Sequence, residues 1–250
     1  MSMTGLDRGP DRARLGRELS PRQKLALLVR ILARHGYDDK LAGHVSMRTS
    51  NPGVLAVNPL GLFWDEVRAA DLVEVARDGT VVEGPGRINP TVLFHHAVHD
   101  RRPDIAVLAH NHPPFGTVWA AAREIPPLLD QTGANGGGKV VRYADYTGAL
   151  LDEARAADLA SAYGDADIAL LDQHGVLVSG DSPELVLVRA LSFEWRCRLA
   201  YRVEAMGRRG DPLSCAAERE LAESAGIYGT LLLEGYGRRV ISDDPHVLDE

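Results

Sequence analysis

The spacing of apolar residues predicts helices and short strands in alternation along the chain. The first helix begins at Ser20-Pro21, because serine is a favoured N-cap and proline fits the first helical position. Gly36 ends it. Its apolar residues have helical spacing: Leu25, Leu27, Leu28, Ile31 and Leu32. Short strands are predicted next, at 44–48, 54–57, 72–76 and 80–83. Arg77-Asp78-Gly79 is expected to form the hairpin turn between the last two.

The second half of the chain continues this alternation. Further helices are predicted at 90–100, 114–122, 151–162, 182–206 and 213–226. Further strands are predicted at 105–109, 139–142 and 167–171, with 176–178 as the continuation or the hairpin partner of the last. Because hairpins and helices both connect strands, we expect a three-layer α/β/α domain around a mainly antiparallel or mixed sheet.

Composition and charge narrow the classes of protein without choosing one. The chain has 250 residues, 45% of them hydrophobic and 25% charged, as in ordinary globular domains. A net charge of −7 argues against a general nucleic-acid or anionic-membrane surface. Two cysteines, Cys197 and Cys215, make neither a disulfide framework nor a zinc ribbon.

The composition of individual segments indicates the domain limits and the compartment. Residues 1–19 are polar and rich in arginine and glycine, and we expect a disordered tail there. Residues 20–250 are expected to form a single domain with C-terminal helices. No apolar run is long enough to span a bilayer and no signal-peptide segment is evident, so a cytoplasmic protein is expected.

The candidate chemistry lies at His110-Asn111-His112, which follows the predicted strand 105–109. In an extended chain residues i and i+2 point the same way, so the two imidazoles can chelate one divalent cation. His174 follows a second apolar run and can supply a third nitrogen. Three neutral imidazoles with an open position suit a catalytic zinc ion. The spacing alone fits a structural pair equally well.

Several segments together resemble the class II aldolase/adducin family, over about residues 20–207. In order they are Ala42-Gly-His-Val-Ser46, Val57-Asn-Pro-Leu-Gly61, Asp71-Leu-Val-Glu-Val75, Asp78-Gly-Thr-Val-Val-Glu-Gly84, Arg102-Pro-Asp-Ile105, His110-Asn-His112 and His174-Gly175. The resemblance implies a divalent metal, Zn²⁺ first and Fe²⁺ or Mn²⁺ as alternatives, on His110, His112 and His174. It also implies a small-molecule substrate and a homotetramer with active sites near subunit interfaces, reached by a C-terminal residue of the neighbour.

The departures from the family pattern concern the acid/base group and the phosphate site. Sugar-phosphate aldolases of this family carry an acidic residue ahead of the central helix. Here that position falls on Val92, or on Thr91 after a one-residue shift, and neither moves a proton at neutral pH. The family's phosphate-binding positions differ as well: Leu60-Gly61 stands where Ser-Gly is common, His44 where asparagine is common, and Asn89-Pro90 where paired serines are common. A phosphate dianion needs several donors, so we expect a non-phosphorylated substrate.

Other residues then become candidates for the catalytic set. His44 can act as a base or a carboxylate-binding cation, or it is a hydrogen-bonded wall residue. Among the helix histidines, His95 and His99 share a face, while the family alignment directs His96 toward the site. Tyr146 is a candidate proton donor.

Substrate contacts and the remaining candidates are less sharply marked. Gly43, Asn89 and Gln131 are the candidate substrate-binding residues. Glu194 is interpreted as a structural ion-pair residue. Aromatic residues that can line a wall for an aromatic substrate, or pack in the core, are Phe63, Trp64 and Trp119. Candidates for a contribution across a subunit interface are Tyr228 and Tyr236.

Three functions are compatible with these residues. The first is a metal-dependent lyase that cleaves a C–C bond of a small, non-phosphorylated hydroxy or oxo acid by retro-aldol or decarboxylative chemistry, through a metal-stabilised enediolate. The second is a non-haem Fe²⁺ oxygenase that cleaves a 2-oxo or 2-hydroxy acid in secondary metabolism, because imidazole suits iron as well. The third is a non-catalytic adducin-like module, against which the three retained histidines count. Epimerases and dehydratases also share the family.

Overall fold

The computed structural model describes residues 15–37, 40–144 and 152–250. Its strands are β1 His44–Arg48, β2 Val54–Val57, β3 Val73–Ala76, β4 Val81–Glu83, β5 Val107–Asn111, β6 Val140–Tyr143, β7 Ile168–Leu171 and β8 Gly175–Gly180. Its α-helices are α1 Pro21–Arg34, α2 Leu93–Arg101, α3 Pro114–Ala122, α4 Gln131–Ala134, α5 Glu153–Tyr163, α6 Pro183–Ala205, α7 Cys215–Ala222 and α8 Ala225–Asp243. Short 3₁₀ turns lie at Ala69–Asp71, Pro90–Val92 and Pro245–Leu248.

The eight strands form one mixed sheet in the order β4-β3-β2-β1-β5-β8-β7-β6. All neighbours are antiparallel except β6 and β7, which are parallel and are connected through α5. The predicted hairpins are present at β3–β4 and β7–β8. The pairing of β7 with β8 shows that residues 176–178 belong to the hairpin partner of β7 and do not continue that strand.

Helices cover both faces of this sheet, as expected for three layers. Val107 and Ala109 of β5 pack with α1, α6 and α8, while Leu108 between them packs with α2 and α5. Strand β8 alternates in the same way, because successive residues of a strand point to opposite faces. This α/β architecture agrees with the expected fold class.

The first helix shows why its prediction is accurate. Ser20 accepts a hydrogen bond from the Gln23 backbone N–H, and the Gln23 side chain accepts one from the Ser20 backbone. The chain packs earlier than the sequence indicates, however. Leu19 is buried in the core and Leu15 packs against it, although both were assigned to the tail, of which residues 1–14 lie outside the described part.

Helix α8 was not predicted beyond residue 226. It holds four glycines, which weaken intrinsic helix propensity, so its stability comes from packing. A Cβ on Gly229 would overlap the Glu184 carbonyl of α6, and one on Gly237 would meet Leu27 of α1. Close approach of three helices therefore explains these glycines. Within the described residues, no helix is long and apolar enough to cross a membrane.

The close packing of α8 gives a matched pair of substitutions. Gly229→Ala should destabilise the fold by about 1–3 kcal/mol, because the added methyl displaces the Glu184 backbone. Gly226→Ala on the same helix has open space around it and should be neutral or stabilising by up to about 1 kcal/mol. Urea unfolding of both variants measures the difference. Equal effects would show that the contact with α6 is not tight.

Candidate metal centre

Three histidine side chains converge at one end of the central strands. His110 and His112 have ring centroids 5.2 Å apart, and the His174 ring lies 4.7 Å from each of them. One nitrogen from each ring lies within 4.8 Å of the others, and His110 is buried. The structure thus brings together the three residues that the sequence proposed as ligands.

Backbone pairing creates this convergence. His110 lies inside β5 and not beyond its end, because β1 and β8 pair with it at His44 and Leu177. His174 is delivered by the β7–β8 turn, in which Gln173 has a φ of +56°. A Cβ on the next residue, Gly175, would collide with the Asn111 carbonyl and the His112 ring, so only glycine permits this approach.

The electrostatics favour neutral imidazoles. Burial, followed by the neighbouring histidines, holds the pKa of His110 well below its usual range. Burial and the charge of His112 lower the pKa of His174 to about 4. His110 Nδ1 lies 3.2 Å from the Val176 carbonyl, which only accepts, so Nδ1 carries the proton and Nε2 is the lone-pair nitrogen. This is the usual outer support of a metal-ligating histidine.

The donor set fits a divalent metal. Zinc binds imidazole nitrogen at about 2.0–2.1 Å, and nitrogens in a tetrahedral site lie roughly 3.3 Å apart. The three nitrogens are already within 4.8 Å of one another, so small side-chain rotations are sufficient. Neutral imidazole is also the form that binds metal.

Glu194 supports the segment that follows His112. Helix α3 begins with Pro113 as N-cap and Pro114 as its first residue, so neither offers a backbone donor or a capping side chain. The next two amides, of Phe115 and Gly116, donate to the two Glu194 carboxylate oxygens at 2.8 Å each. Glu194 is therefore the cap of α3, supplied from α6, and not the ion-pair residue that the sequence suggested.

A chain of hydrogen bonds lies beside the three ligands and includes His44. Its six successive contacts connect, in order, Asn89 Oδ1, Thr91 Oγ1, His44, His95, Ser46 Oγ, His99 and the Ile105 carbonyl. The His44 ring also lies 5.2 Å from the His110 ring. His44 is buried, and both of its nitrogens are occupied, so it has the contacts of a wall residue.

The protons available to this chain limit its hydrogen bonds. Both ends only accept, and the five groups between them carry five protons for six contacts when the imidazoles are neutral, so one contact lacks a proton. The Thr91 hydroxyl donates its one proton to Asn89 Oδ1, so it accepts from His44 Nε2 when that contact is a hydrogen bond. Burial lowers the pKa of His99 to about 3, consistent with neutral rings.

Thr91 and Val92, the two candidates for the position where the family carries an acidic residue, have different surroundings. Thr91 is half-buried and contacts His44, whereas Val92 is buried among the strand side chains, so Thr91 occupies the site-facing position. His96 lies beside Ala76, Arg77 and Asp100. His95, not His96, reaches the wall of the site.

The predicted substrate-binding residues have different surroundings. Gly43 has a φ of +85°, and a Cβ there would meet the His110 carbonyl and the Trp64 ring. Asn89 caps the 3₁₀ turn by accepting from the Thr91 N–H. Gln131 is exposed at the start of α4, which packs against α6 and α7. Tyr146 lies outside the described residues.

The aromatic candidates are mostly core residues. Trp64 is buried, and Trp119 is buried with its indole N–H donating to the Cys197 carbonyl. Phe63 is exposed. Tyr228 is exposed on α8, and Tyr236 stacks edge-on against His35.

Comparison with known proteins gives one family. The model of the class II aldolase and adducin N-terminal domain matches residues 23–201. A protein assigned to aldolase class 2 in Caulobacter vibrioides is 28% identical, over 93% of both chains. A 5-methylthioribulose-1-phosphate/5-deoxyribulose-1-phosphate aldolase of Rhodospirillum rubrum is 28% identical over 73% of this chain and 83% of that protein. An aldolase II superfamily protein from Pseudomonas syringae superposes with a TM-score of 0.79 at 25% identity, covering 98% of this chain and all of the other.

Buried neutral histidines predict acid sensitivity of the fold. In the unfolded chain His99 binds a proton below a pH of about 6.5, whereas in the folded protein it stays neutral down to a pH of about 3. Stability is therefore full above that range and falls as the pH drops, by about 1.4 kcal/mol per pH unit for each such histidine. His99→Gln should flatten the dependence by about one proton, and the exposed His246→Gln should not. Urea midpoints of the metal-free protein between roughly pH 4.5 and 6.5 measure this. An unchanged slope for His99→Gln would contradict it.

The cap on α3 predicts an effect on metal affinity. Glu194→Gln keeps one acceptor for the two amides and should weaken zinc binding about tenfold, because the chain that holds His112 loses its anchor. The exposed Glu204→Gln on the same helix is the control. A competitive zinc titration gives both affinities. Loss of thermal stability with unchanged affinity would show that Glu194 acts on the fold alone.

Proposed function

Because the chain belongs to the class II aldolase and adducin family, we propose that it is a metal-dependent lyase cleaving a C–C bond of a small, non-phosphorylated hydroxy or oxo acid. The relative from Rhodospirillum rubrum is named as a sugar-phosphate aldolase. The proposal keeps the bond-cleaving chemistry of such relatives and changes the substrate class and the acid/base group.

The convergence of three imidazoles carries this proposal. His110, His112 and His174 would hold the metal, and no carboxylate joins their cluster within the described residues. A divalent metal bound there supplies a Lewis acid for a carbonyl oxygen. The chain contributes the orientation of the ligands, through Val176 behind His110 and Glu194 behind the segment after His112.

The side chains of His44 and Thr91, beside the three ligands, support chemistry that begins without a base. The position expected to carry an acid holds Thr91, whose hydroxyl accepts from His44 and donates to Asn89. Loss of CO₂ leaves the bonding electron pair on the neighbouring carbon and starts without proton removal, so decarboxylation suits this wall. The proton that completes the reaction then comes from water or from a side chain outside this wall.

The residues at the positions where the family binds phosphate support a carboxylate over a phosphate. Leu60 is exposed, and Gly61 has open space around it, so neither offers a side-chain donor. The Leu60 N–H bonds the Arg87 carbonyl, which places the exposed Arg87 next to them. One guanidinium can hold a carboxylate in a bidentate pair, whereas a phosphate dianion needs more donors.

An oxygenase is the second candidate, favoured by the all-histidine donor set. Imidazoles without a charged ligand suit Fe²⁺ as well as Zn²⁺.

We propose Zn²⁺ as the resident metal. We also propose a homotetramer, for which the exposed apolar residues Ile227, Tyr228 and Leu231 on α8 offer a contact surface.

The test compares two metals and two classes of substrate. Protein loaded anaerobically with zinc or iron is incubated with 2-oxo acids, 2-hydroxy acids and sugar phosphates, with and without O₂. We expect O₂-independent release of CO₂ or an aldehyde from an acid, at least 100-fold slower in His112→Ala because a ligand is lost. His246→Ala, exposed and distant in sequence, is the control.

Each other outcome contradicts a stated part of the proposal. Turnover only with iron and stoichiometric O₂ consumption would replace the lyase by the oxygenase. Faster cleavage of sugar phosphates than of acids would overturn the substrate class. Full metal content in His112→Ala, with no turnover by the wild type, would point to a binding module.

A further inference from the structure

A cavity, open to solvent on one side, lies on the other face of the sheet from the His110 ring. It has a volume of about 320 Å³ and is lined by the end of α1, by α4, by the middle of α6 and by α8. His110 points to the face of α2, since it alternates with residues of β5 that pack on α1 and α6. Among the described lining residues, Glu194 alone also has a role in the proposed lyase, as the cap of α3.

The lining combines aromatic and aliphatic residues with polar ones, among them Thr132, Asn135 and Ser192. Trp195, Tyr228 and Tyr236 provide rings, and Leu191 and Leu232 provide aliphatic surface. Trp195 is fixed by its indole N–H, which donates to Asp130 at 2.8 Å, and Tyr236 is fixed against His35. An empty apolar cavity of about 150 Å³ holds benzene, so this one has room for a substituted aromatic ring.

One cation, Arg198, is available among the described residues that line this space. Arg198 is half-buried and stacks over Trp195 with its guanidinium carbon 4.7 Å from the ring centroid. Within the described part of the chain it donates no hydrogen bond and has no carboxylate at ion-pair distance, although its charge acts on Glu194, where it opposes the rise in pKa that burial causes. Among the described lining residues Glu194 alone carries a carboxylate, and both of its oxygens accept from the amides of α3. The guanidinium donors of Arg198 are therefore available to an anion.

We propose that this cavity binds an aromatic monocarboxylate, with the ring against Trp195 and Tyr236 and the carboxylate on Arg198. The fork of the guanidinium matches a carboxylate in a bidentate pair. The aromatic and aliphatic lining residues match the ring.

The experiment uses phenylacetate as the probe and phenylacetamide as its neutral counterpart. Calorimetry and tryptophan fluorescence measure binding to the full chain, with zinc bound and after chelation. We expect saturable phenylacetate binding in both forms and at least tenfold weaker binding of the amide. Arg198→Gln should lose tenfold or more, while Arg202→Gln, exposed on the same helix, should match the wild type.

The outcomes separate this site from the metal centre. Binding that disappears on chelation, or that Arg198→Gln retains in full, would place the acid elsewhere and overturn the proposal. Absence of saturable binding to the wild type would overturn it as well. The acid and amide comparison on the wild type remains decisive if Arg198→Gln fails to fold. Failure of the lyase proposal leaves these results unaffected, because no turnover is measured.

Discussion

The antiparallel pairing of β5 with β8 is the constraint on which the site depends. It sets His110 opposite Leu177 and brings the Val176 carbonyl to the His110 ring. The turn that precedes β8 presents His174, and Gly175 allows its backbone to pass against His112. A slip of one residue would turn His110 to the opposite face. The metal site is thus a consequence of strand register, and it cannot form in a partly ordered sheet.

Burial then determines what the histidines can do. His110 and His174, together with the neighbouring His44, His95 and His99, lie in surroundings that lower their pKa values, so these rings are neutral. Neutral rings bind metal, and they also form the chain of hydrogen bonds that ends at Thr91 and Asn89. One physical cause, desolvation, therefore prepares the ligands and orders the wall beside them. Its cost is the acid sensitivity of the fold.

The sequence predicts elements where local signals and packing agree. Helix α1, with its capping box, and strands β1 and β2, with their short apolar runs, have the expected bounds. Helix α8 was missed because two of its glycines, Gly229 and Gly237, serve contacts with α6 and α1, which are distant in sequence. His96 stays a prediction from the family alignment; in the fold it lies beside Arg77 and Asp100, while His95 contacts His44, a difference in tertiary contacts that the sequence does not specify. One feature of the sequence could have indicated the Glu194 cap: helix α3 begins with two prolines and has no capping side chain of its own.

The ligand set is the central claim, and a zinc titration against a competing chelator tests it most directly. The wild type should bind one equivalent of metal per chain, and alanine at His110, His112 or His174 should each abolish tight binding. His95→Ala and His99→Ala should keep one equivalent, since those rings bond Ser46 and not the metal. Tight binding that survives the loss of any one of the three proposed ligands would contradict the account.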